Sequence, residues 1–139
     1  MLFSPSKYKQ TSQFFGRLAF VILLAIILPL LPHAADVLPP LTNTYLNNAA
    51  TKYGISAKKR LQDWDKLIKQ NQNKSEAEKL QLVNDFFNRI RYVSDLEHWG
   101  VEDYWATPAE MLVTNGGDCE DYAIAKYFTL VAMHVDPNK

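Results

Sequence analysis

The amino-acid sequence predicts a mainly helical fold with one short strand. Between Leu41 and Val131, successive stretches place apolar residues at the three- and four-residue spacing of a helix face. Several of these stretches begin with a capping residue and end at a glycine or a polar loop. Strand-like character is confined to the segment around Val93. Residues 36–139 are enough for one small domain.

Residues 1–35 have the layout of a secretory signal peptide. Residues 1–17 are polar and basic, and the apolar run 18–31 is shorter than the ~20 residues of a membrane-spanning helix. Small residues suited to signal cleavage follow the apolar run. We therefore expect residues 36–139 to lie outside the inner membrane, with an uncleaved anchor at residues 18–31 as the alternative.

Charge and cysteine content narrow the classes of function. The chain has 15 basic and 15 acidic residues, and residues 36–139 carry a net charge of −3. Nucleic-acid binding, which needs a basic face, is therefore not expected. A single cysteine cannot form an internal disulfide, so Cys119 remains a free thiol in an oxidising compartment.

Two helices are predicted in the first half of residues 36–139. The first runs from Leu41 to Tyr53, and Gly54 is placed to end it. The second is capped by Ser56, and its apolar stripe consists of Leu61, Trp64, Leu67 and Ile68. We interpret Trp64 as a core residue, with a docking surface for a partner as the alternative.

The next helices also carry start signals. Ser75 and Glu78 are predicted to form a capping box. The inward face of the helix that follows is predicted to consist of Leu80, Val83, Phe86, Phe87 and Ile90. Residues 95–104 are predicted to be irregular and aromatic. Thr107, Pro108 and Glu110 then predict a short helix that ends near Val113.

Residues 115–123, Asn-Gly-Gly-Asp-Cys-Glu-Asp-Tyr-Ala, are the centre of the functional hypothesis. An apolar band from Tyr122 to Val131 predicts a helix, so Cys119 is expected in its first turn, after a tight Gly-Gly turn. Asp118 is the predicted N-cap, whose carboxylate accepts free first-turn N–H groups. The helix dipole favours a thiolate, which suits a nucleophile. The alternative is an acidic helix start with a small buried cysteine.

Two motifs resemble the bacterial transglutaminase-like cysteine proteinases. They are WATPAE at residues 105–110 and GDCEDYAIAKY at residues 117–127, within a match that runs from Asn84 to Tyr127. The resemblance implies an α+β, papain- or transglutaminase-like fold. Residues 36–139 would hold mainly its N-terminal helical part and the catalytic-cysteine helix, with the sheet largely missing.

The same resemblance implies a function. Such proteins are periplasmic proteases that cut a large surface adhesin and release biofilm cells, with Cys119 as the nucleophile that forms a thioester. It also implies an inner-membrane cyclic-di-GMP receptor that sequesters the protease. Two alternatives stay open, namely acyl transfer to an amine, and a catalytically inactive fragment or non-enzymatic periplasmic binding module.

A cysteine protease also needs a histidine and a group that orients it. In the family, these residues lie on strands downstream of the cysteine helix, and the sequence ends 20 residues after Cys119. His134 would lie about 22 Å away along a continuous helix, and His98 matches no catalytic residue of the family. We therefore expect the chain alone to be inactive.

The acidic residues around Cys119 indicate a binding site for a cation. Like charges disfavour a thiolate, and a bound cation would reverse that effect. The resemblance implies a Ca²⁺ site at Asp118, Glu120 and Asp121, with helix capping by the two aspartates and a solvated Glu120 as the alternative. For the oxyanion hole, we expect the Cys119 N–H and the indole N–H of Trp105, with core packing of Trp105 as the alternative.

Overall fold

The computed structural model describes residues 38–138, which form six helices and two very short strands. The predicted signal peptide at residues 1–35, with the alternative anchor at 18–31, lies outside the described residues. Within residues 38–138 no helix has both the length and the apolar character needed to cross a bilayer. In chain order, the elements are α1 (Asn43–Tyr53), α2 (Ile55–Gln70), α3 (Glu76–Phe87), β1 (Arg91–Tyr92), α4 (Asp95–His98), α5 (Pro108–Thr114), β2 (Gly116–Gly117) and α6 (Cys119–Ala132).

The predicted helix boundaries are largely confirmed. Gly54 ends α1 with a φ of +88° and donates its N–H to the Ala50 carbonyl. Capping boxes begin α3 and α5, where Ser75 pairs with Glu78 and Thr107 with Glu110. The predicted Ser56 cap is wrong, because α2 begins one residue earlier, directly after Gly54.

The core lies where α2, α3, α5 and α6 meet. Its largest fully buried side chains are Trp64, Phe87, Leu61, Met111, Leu112 and Met133. The Trp64 indole N–H donates to the Thr129 hydroxyl at 2.8 Å, which joins α2 to α6 in the interior. The core prediction for Trp64 is therefore confirmed, and the docking alternative is wrong.

The inward face of α3 differs from the predicted one. Leu80 is 48 % exposed, whereas Val83 and Phe87 are buried. Lys79 is buried as well, and its ammonium group donates to the Met133 carbonyl at 2.8 Å. A lysine therefore takes part of the inward face, because its ammonium group reaches a free carbonyl at the end of α6.

The two strands bring distant parts of the chain together. They pair in parallel, with Arg91 opposite Gly116 and Tyr92 opposite Gly117. The observed strand β1 therefore lies just upstream of Val93, where the strand was predicted. Val93 still extends the pairing, because its N–H donates to the Gly117 carbonyl at 3.1 Å. This pairing sets the segment after β1 beside the start of α6.

The sequence predicted that residues 95–104 are irregular, but part of this segment is helical. Asp95–His98 form the short helix α4, because the Ser94 hydroxyl accepts the Glu97 N–H at 3.4 Å and caps its first turn. The rest of the segment has no regular secondary structure. As a result, Asp95 is buried against the site that contains Cys119.

Candidate active site

Cys119 is the first residue of α6, and its thiol is free and exposed. The alternative of a buried structural cysteine is therefore wrong. The thiol donates a hydrogen bond to a Glu120 carboxylate oxygen at 3.0 Å. This bond and the charge of Glu120 raise the pKa of the Cys119 thiol above its usual value. In the metal-free protein the acids thus outweigh the helix dipole.

The segment before Cys119 is not the tight Gly-Gly turn that was predicted. Asn115 makes the turn, in the left-handed conformation with a φ of +57°. Gly116 and Gly117 are extended and paired with β1. Both glycines are required by close packing: a Cβ on Gly116 would lie 2.7 Å from Val93 Cγ1, and a Cβ on Gly117 would lie 2.7 Å from Asp121 Oδ2.

Three aspartates form an acidic cluster beneath the cysteine. One carboxylate oxygen each of Asp95, Asp118 and Asp121 lies within 4.8 Å of the others. Asp95 is only 2 % exposed, and Asp121 is completely buried. Asp95 was not among the predicted ligands, because only the pairing of β1 with β2 brings it close to Asp118 and Asp121. The Ser94-x-x-Glu97 cap was the local signal for the helix that carries Asp95.

The hydrogen bonds of the acidic cluster leave two buried oxygens without a partner. Asp121 accepts the Ala106 N–H on Oδ1 at 2.7 Å and the Asp118 N–H on Oδ2 at 3.3 Å. Asp95 accepts the Tyr104 N–H on Oδ2 at 2.6 Å. The Oδ1 atoms of Asp95 and Asp118 are buried and unpaired. Because buried polar atoms are nearly always paired, these two oxygens point to a missing ligand.

The electrostatics agree with that conclusion. Burial, reinforced by Glu120 and the neighbouring aspartates, raises the pKa of Asp118 to about 6. Burial is also the main cause that raises the pKa of Asp121. The cluster is therefore short of positive charge within the part of the chain described.

The chemistry of the donors fits a hard divalent cation. Ca²⁺ prefers carboxylate and carbonyl oxygens and accepts six to eight of them in flexible geometry. Of the three predicted ligands, Asp118 and Asp121 join Asp95 in the acidic cluster. Glu120 belongs to two neighbouring groups, each with its ligand atoms within 4.8 Å of one another: one with Asp118 and the Cys119 sulfur, and one with Asp95 and Asp103. The predicted capping by Asp121 is also present, so the side chain that caps α6 also belongs to the acidic cluster.

Trp105 does not pack in the core. It is 69 % exposed, and its indole N–H donates to an oxygen of Asp103 at 3.0 Å. The core-packing alternative is therefore wrong. The oxyanion role of Trp105 stays a prediction.

The described histidines do not pair with Cys119. His134 follows α6, whose 14 residues span about 20 Å at 1.5 Å per residue. His98 is half-buried, with its ring 4.7 Å from the Trp99 ring and packed against Gly116. Among residues 38–138, the hydrogen-bond partner of the thiol is Glu120.

Comparison with known proteins identifies the family. The model of the family described as bacterial transglutaminase-like cysteine proteinase matches residues 52–139. No curated protein gives a significant match.

Solved structures of Legionella pneumophila LapG are similar to this chain. One is 39 % identical with a TM-score of 0.58 and covers 73 % of this chain and 56 % of its own. A calcium-bound form is 40 % identical with a TM-score of 0.57, over 68 % and 52 % of the two chains. An EGTA-treated form is 39 % identical with a TM-score of 0.58, over 73 % and 54 %.

This chain thus spans about half the length of the LapG structures that it matches. The similarity confirms the predicted transglutaminase-like fold, in which the described residues supply the helices and a two-stranded sheet. The chain belongs to the bacterial transglutaminase-like cysteine proteinase family.

Proposed function

We propose that this chain carries the nucleophile and the cation site of a periplasmic, calcium-dependent cysteine protease. The substrate is a large surface adhesin, whose cleavage releases cells from a biofilm. The observation that carries the proposal is the exposed thiol of Cys119 at the first position of α6, in a chain of this family. The relative whose structure exists in calcium-bound and EGTA-treated forms supports the dependence on calcium.

The chemistry begins at the Cys119 sulfur. As a thiolate, it attacks the carbonyl carbon of the scissile peptide bond; the C–N bond breaks, the amine leaves with a proton equivalent to the one that the thiol gave up, and a thioester remains. Water then hydrolyses the thioester, which releases the acid and restores the thiol. The free N–H groups at the start of α6 are placed to stabilise the negative oxygen that develops during both steps.

The acids control when the sulfur is reactive. Glu120 holds the proton on the thiol and raises its pKa. Asp95, Asp118 and Asp121, with Glu120 beside them, would hold the cation through their carboxylate oxygens. Bound Ca²⁺ would supply the positive charge that offsets these carboxylates and favours the thiolate.

Because no histidine within residues 38–138 is paired with Cys119, the cleavage assay uses protein expressed from the whole open reading frame. That protein is incubated with the adhesin of the same bacterium, with added Ca²⁺ or with EGTA. We expect a single cut in Ca²⁺, none in EGTA, and none for Cys119→Ser in either condition. Mass spectrometry of the new ends distinguishes hydrolysis from transfer to an amine. Equal cutting by Cys119→Ser would refute the proposal.

Export and regulation are further parts of the proposal, supported by family membership and by the layout of residues 1–35. Cell fractionation should place the protein in the periplasm, with residues 18–31 deciding whether it stays at the inner membrane. We expect a membrane-bound cyclic-di-GMP receptor to bind the protein. When this receptor is attached to affinity resin, it should retain the protein in the presence of cyclic-di-GMP and release it when the nucleotide is removed. Equal retention of the protein with and without cyclic-di-GMP would contradict this regulation.

A further inference from the structure

The segment that carries Trp105 lies across the acidic cluster. We call residues 99–106, which join α4 to α5, the aromatic loop. Its Trp99 and Tyr104 rings pack at 4.5 Å, whereas Val101 and Trp105 are largely exposed. The loop has no regular secondary structure, so its conformation depends on the contacts that individual residues make.

Two of those contacts are to buried carboxylates. The Tyr104 N–H donates to Asp95 Oδ2 at 2.6 Å, and the Ala106 N–H donates to Asp121 Oδ1 at 2.7 Å. Hydrogen bonds from N–H groups to ionised carboxylates are among the stronger ones in proteins. They hold the backbone on both sides of Trp105.

The same carboxylates belong to the acidic cluster. Asp95 Oδ2 accepts the hydrogen bond from the loop, whereas Asp95 Oδ1 is buried and has no hydrogen-bond partner. The Asp95 residue as a whole is 2 % exposed. Asp121 and Asp118 each offer an oxygen within 4.8 Å of Asp95. A carboxylate can hold a cation with one oxygen and accept an N–H with the other. Without a cation, the carboxylates on which the loop is held repel one another.

The position of the loop also shapes a pocket. Residues 105–110 form one side of a pocket of about 690 Å³, and Ile124 and Phe128 of α6 form another. Trp105 and Ala106 are thus shared by the loop and the pocket. A shift of the loop would change the apolar surface offered beside the cysteine helix.

We propose that Asp95 and Asp121 couple the cation site to the aromatic loop, so that Ca²⁺ binding to the acidic cluster fixes the loop and the pocket wall that it forms. The inference rests on the calcium site of the proposed function and specifies which part of the chain responds to the ion. Calcium then acts on the shape of the pocket that the loop helps to form.

Amide hydrogen exchange measured by NMR on the full 139-residue chain tests the coupling. Ca²⁺ binding is first measured by calorimetry with calcium chloride. Exchange at Tyr104 and Ala106 is then compared in Ca²⁺ and in EGTA, and we expect it to slow by at least about tenfold in Ca²⁺. The internal control is the Glu78 amide, which is bonded to the Ser75 hydroxyl in α3 and should change much less.

Asp95→Asn retains an oxygen for the Tyr104 N–H but removes the charge, so its loop amides should no longer respond to Ca²⁺. Glu97→Gln, an exposed carboxylate on the same short helix, should respond like the wild type. Calcium binding with no selective slowing of the two loop amides would overturn the coupling and leave the calcium site of the proposed function intact. No calcium binding would overturn both.

Discussion

At the residue scale, the reactivity of Cys119 is decided by a competition between two electrostatic effects. The N-terminus of α6 favours a thiolate, whereas the neighbouring carboxylates disfavour it. The carboxylates raise the pKa of the Cys119 thiol above its usual value, and Glu120 is the largest contributor. Neutralising the charge of Glu120 should therefore favour the thiolate.

Glu120→Gln should therefore make the thiol more reactive when no cation is present. The mutation removes the charge that holds the proton, so the pKa of Cys119 falls and a larger thiolate fraction exists at neutral pH. In EGTA, the pH profile of iodoacetamide alkylation should move to lower pH, and the rate at pH 7 should rise severalfold. Glu97→Gln is the matched control. An unchanged profile for Glu120→Gln would show that Glu120 does not control the thiol.

At the element scale, β2 is the strand on which the site is assembled. Its two glycines allow β1, α4 and α6 to approach each other closely, and each faces a different neighbour. Gly116 packs against Val93 and His98, whereas Gly117 packs against Asp121. A side chain added at Gly116 would therefore disturb the packing of the fold, whereas one added at Gly117 would disturb the acidic cluster.

Gly117→Ala should weaken Ca²⁺ binding more than Gly116→Ala does. The added methyl group would lie 2.7 Å from Asp121 Oδ2, so the carboxylate must move away from its present position. Gly116→Ala should instead lower the free energy of unfolding by about 1–3 kcal/mol through overpacking. Calorimetric Ca²⁺ titration and urea unfolding of both variants provide the measurement. Equal Ca²⁺ affinities would argue against Asp121 as a ligand.

The end of α6 is also held by another helix. The Lys79 ammonium group donates to the Met133 carbonyl, where cations are favoured by the helix dipole. Lys79→Met should therefore cost about 1–3 kcal/mol in urea unfolding, because a buried carbonyl loses its charged partner. Lys66→Met, at an exposed position of α2, should change stability by less than about 0.5 kcal/mol. A neutral Lys79→Met would mean that water replaces the lysine.

At the scale of the whole molecule, a cation bound at the acidic cluster would be linked to folding. An ion that binds only the folded state stabilises it by about 2.7 kcal/mol at one hundred times its dissociation constant. Without the ion, Asp118 opposes folding at neutral pH. Its pKa is raised from 3.8 to about 6, so its favourable contribution is complete below pH 3.8 and is lost as the pH rises through 6.

Asp118→Asn should therefore have opposite effects on thermal stability in the two conditions. In EGTA at pH 7, the variant should melt above the wild type, because a half-buried negative charge is gone. In Ca²⁺, it should melt below the wild type, because a ligand is gone. Differential scanning calorimetry of the full chain in both buffers measures the two shifts. A variant that melts below the wild type in EGTA would contradict the assignment of charge repulsion to Asp118.

Local sequence signals were enough to predict most of the helices, several of their caps and the position of Cys119. Capping boxes at Ser75 and Thr107, and the stop at Gly54, depend on residues three or four apart, and such local signals can be read without a fold. The place of Cys119 at the start of α6 follows from the same local chemistry. These features were predicted, and the structure confirms them.

Which distant residues lie beside Cys119 depends on how the elements pack in the folded chain. Asp95 enters the acidic cluster because β1 pairs with β2 across more than twenty residues of sequence, and no local pattern encodes that pairing. The burial of Lys79, the exposure of Leu80 and Trp105, and the packing of His98 on Gly116 likewise depend on neighbours from other elements. Helix formation depends on the nearest residues along the chain, whereas burial and ligand geometry depend on contacts that exist only once the chain has folded.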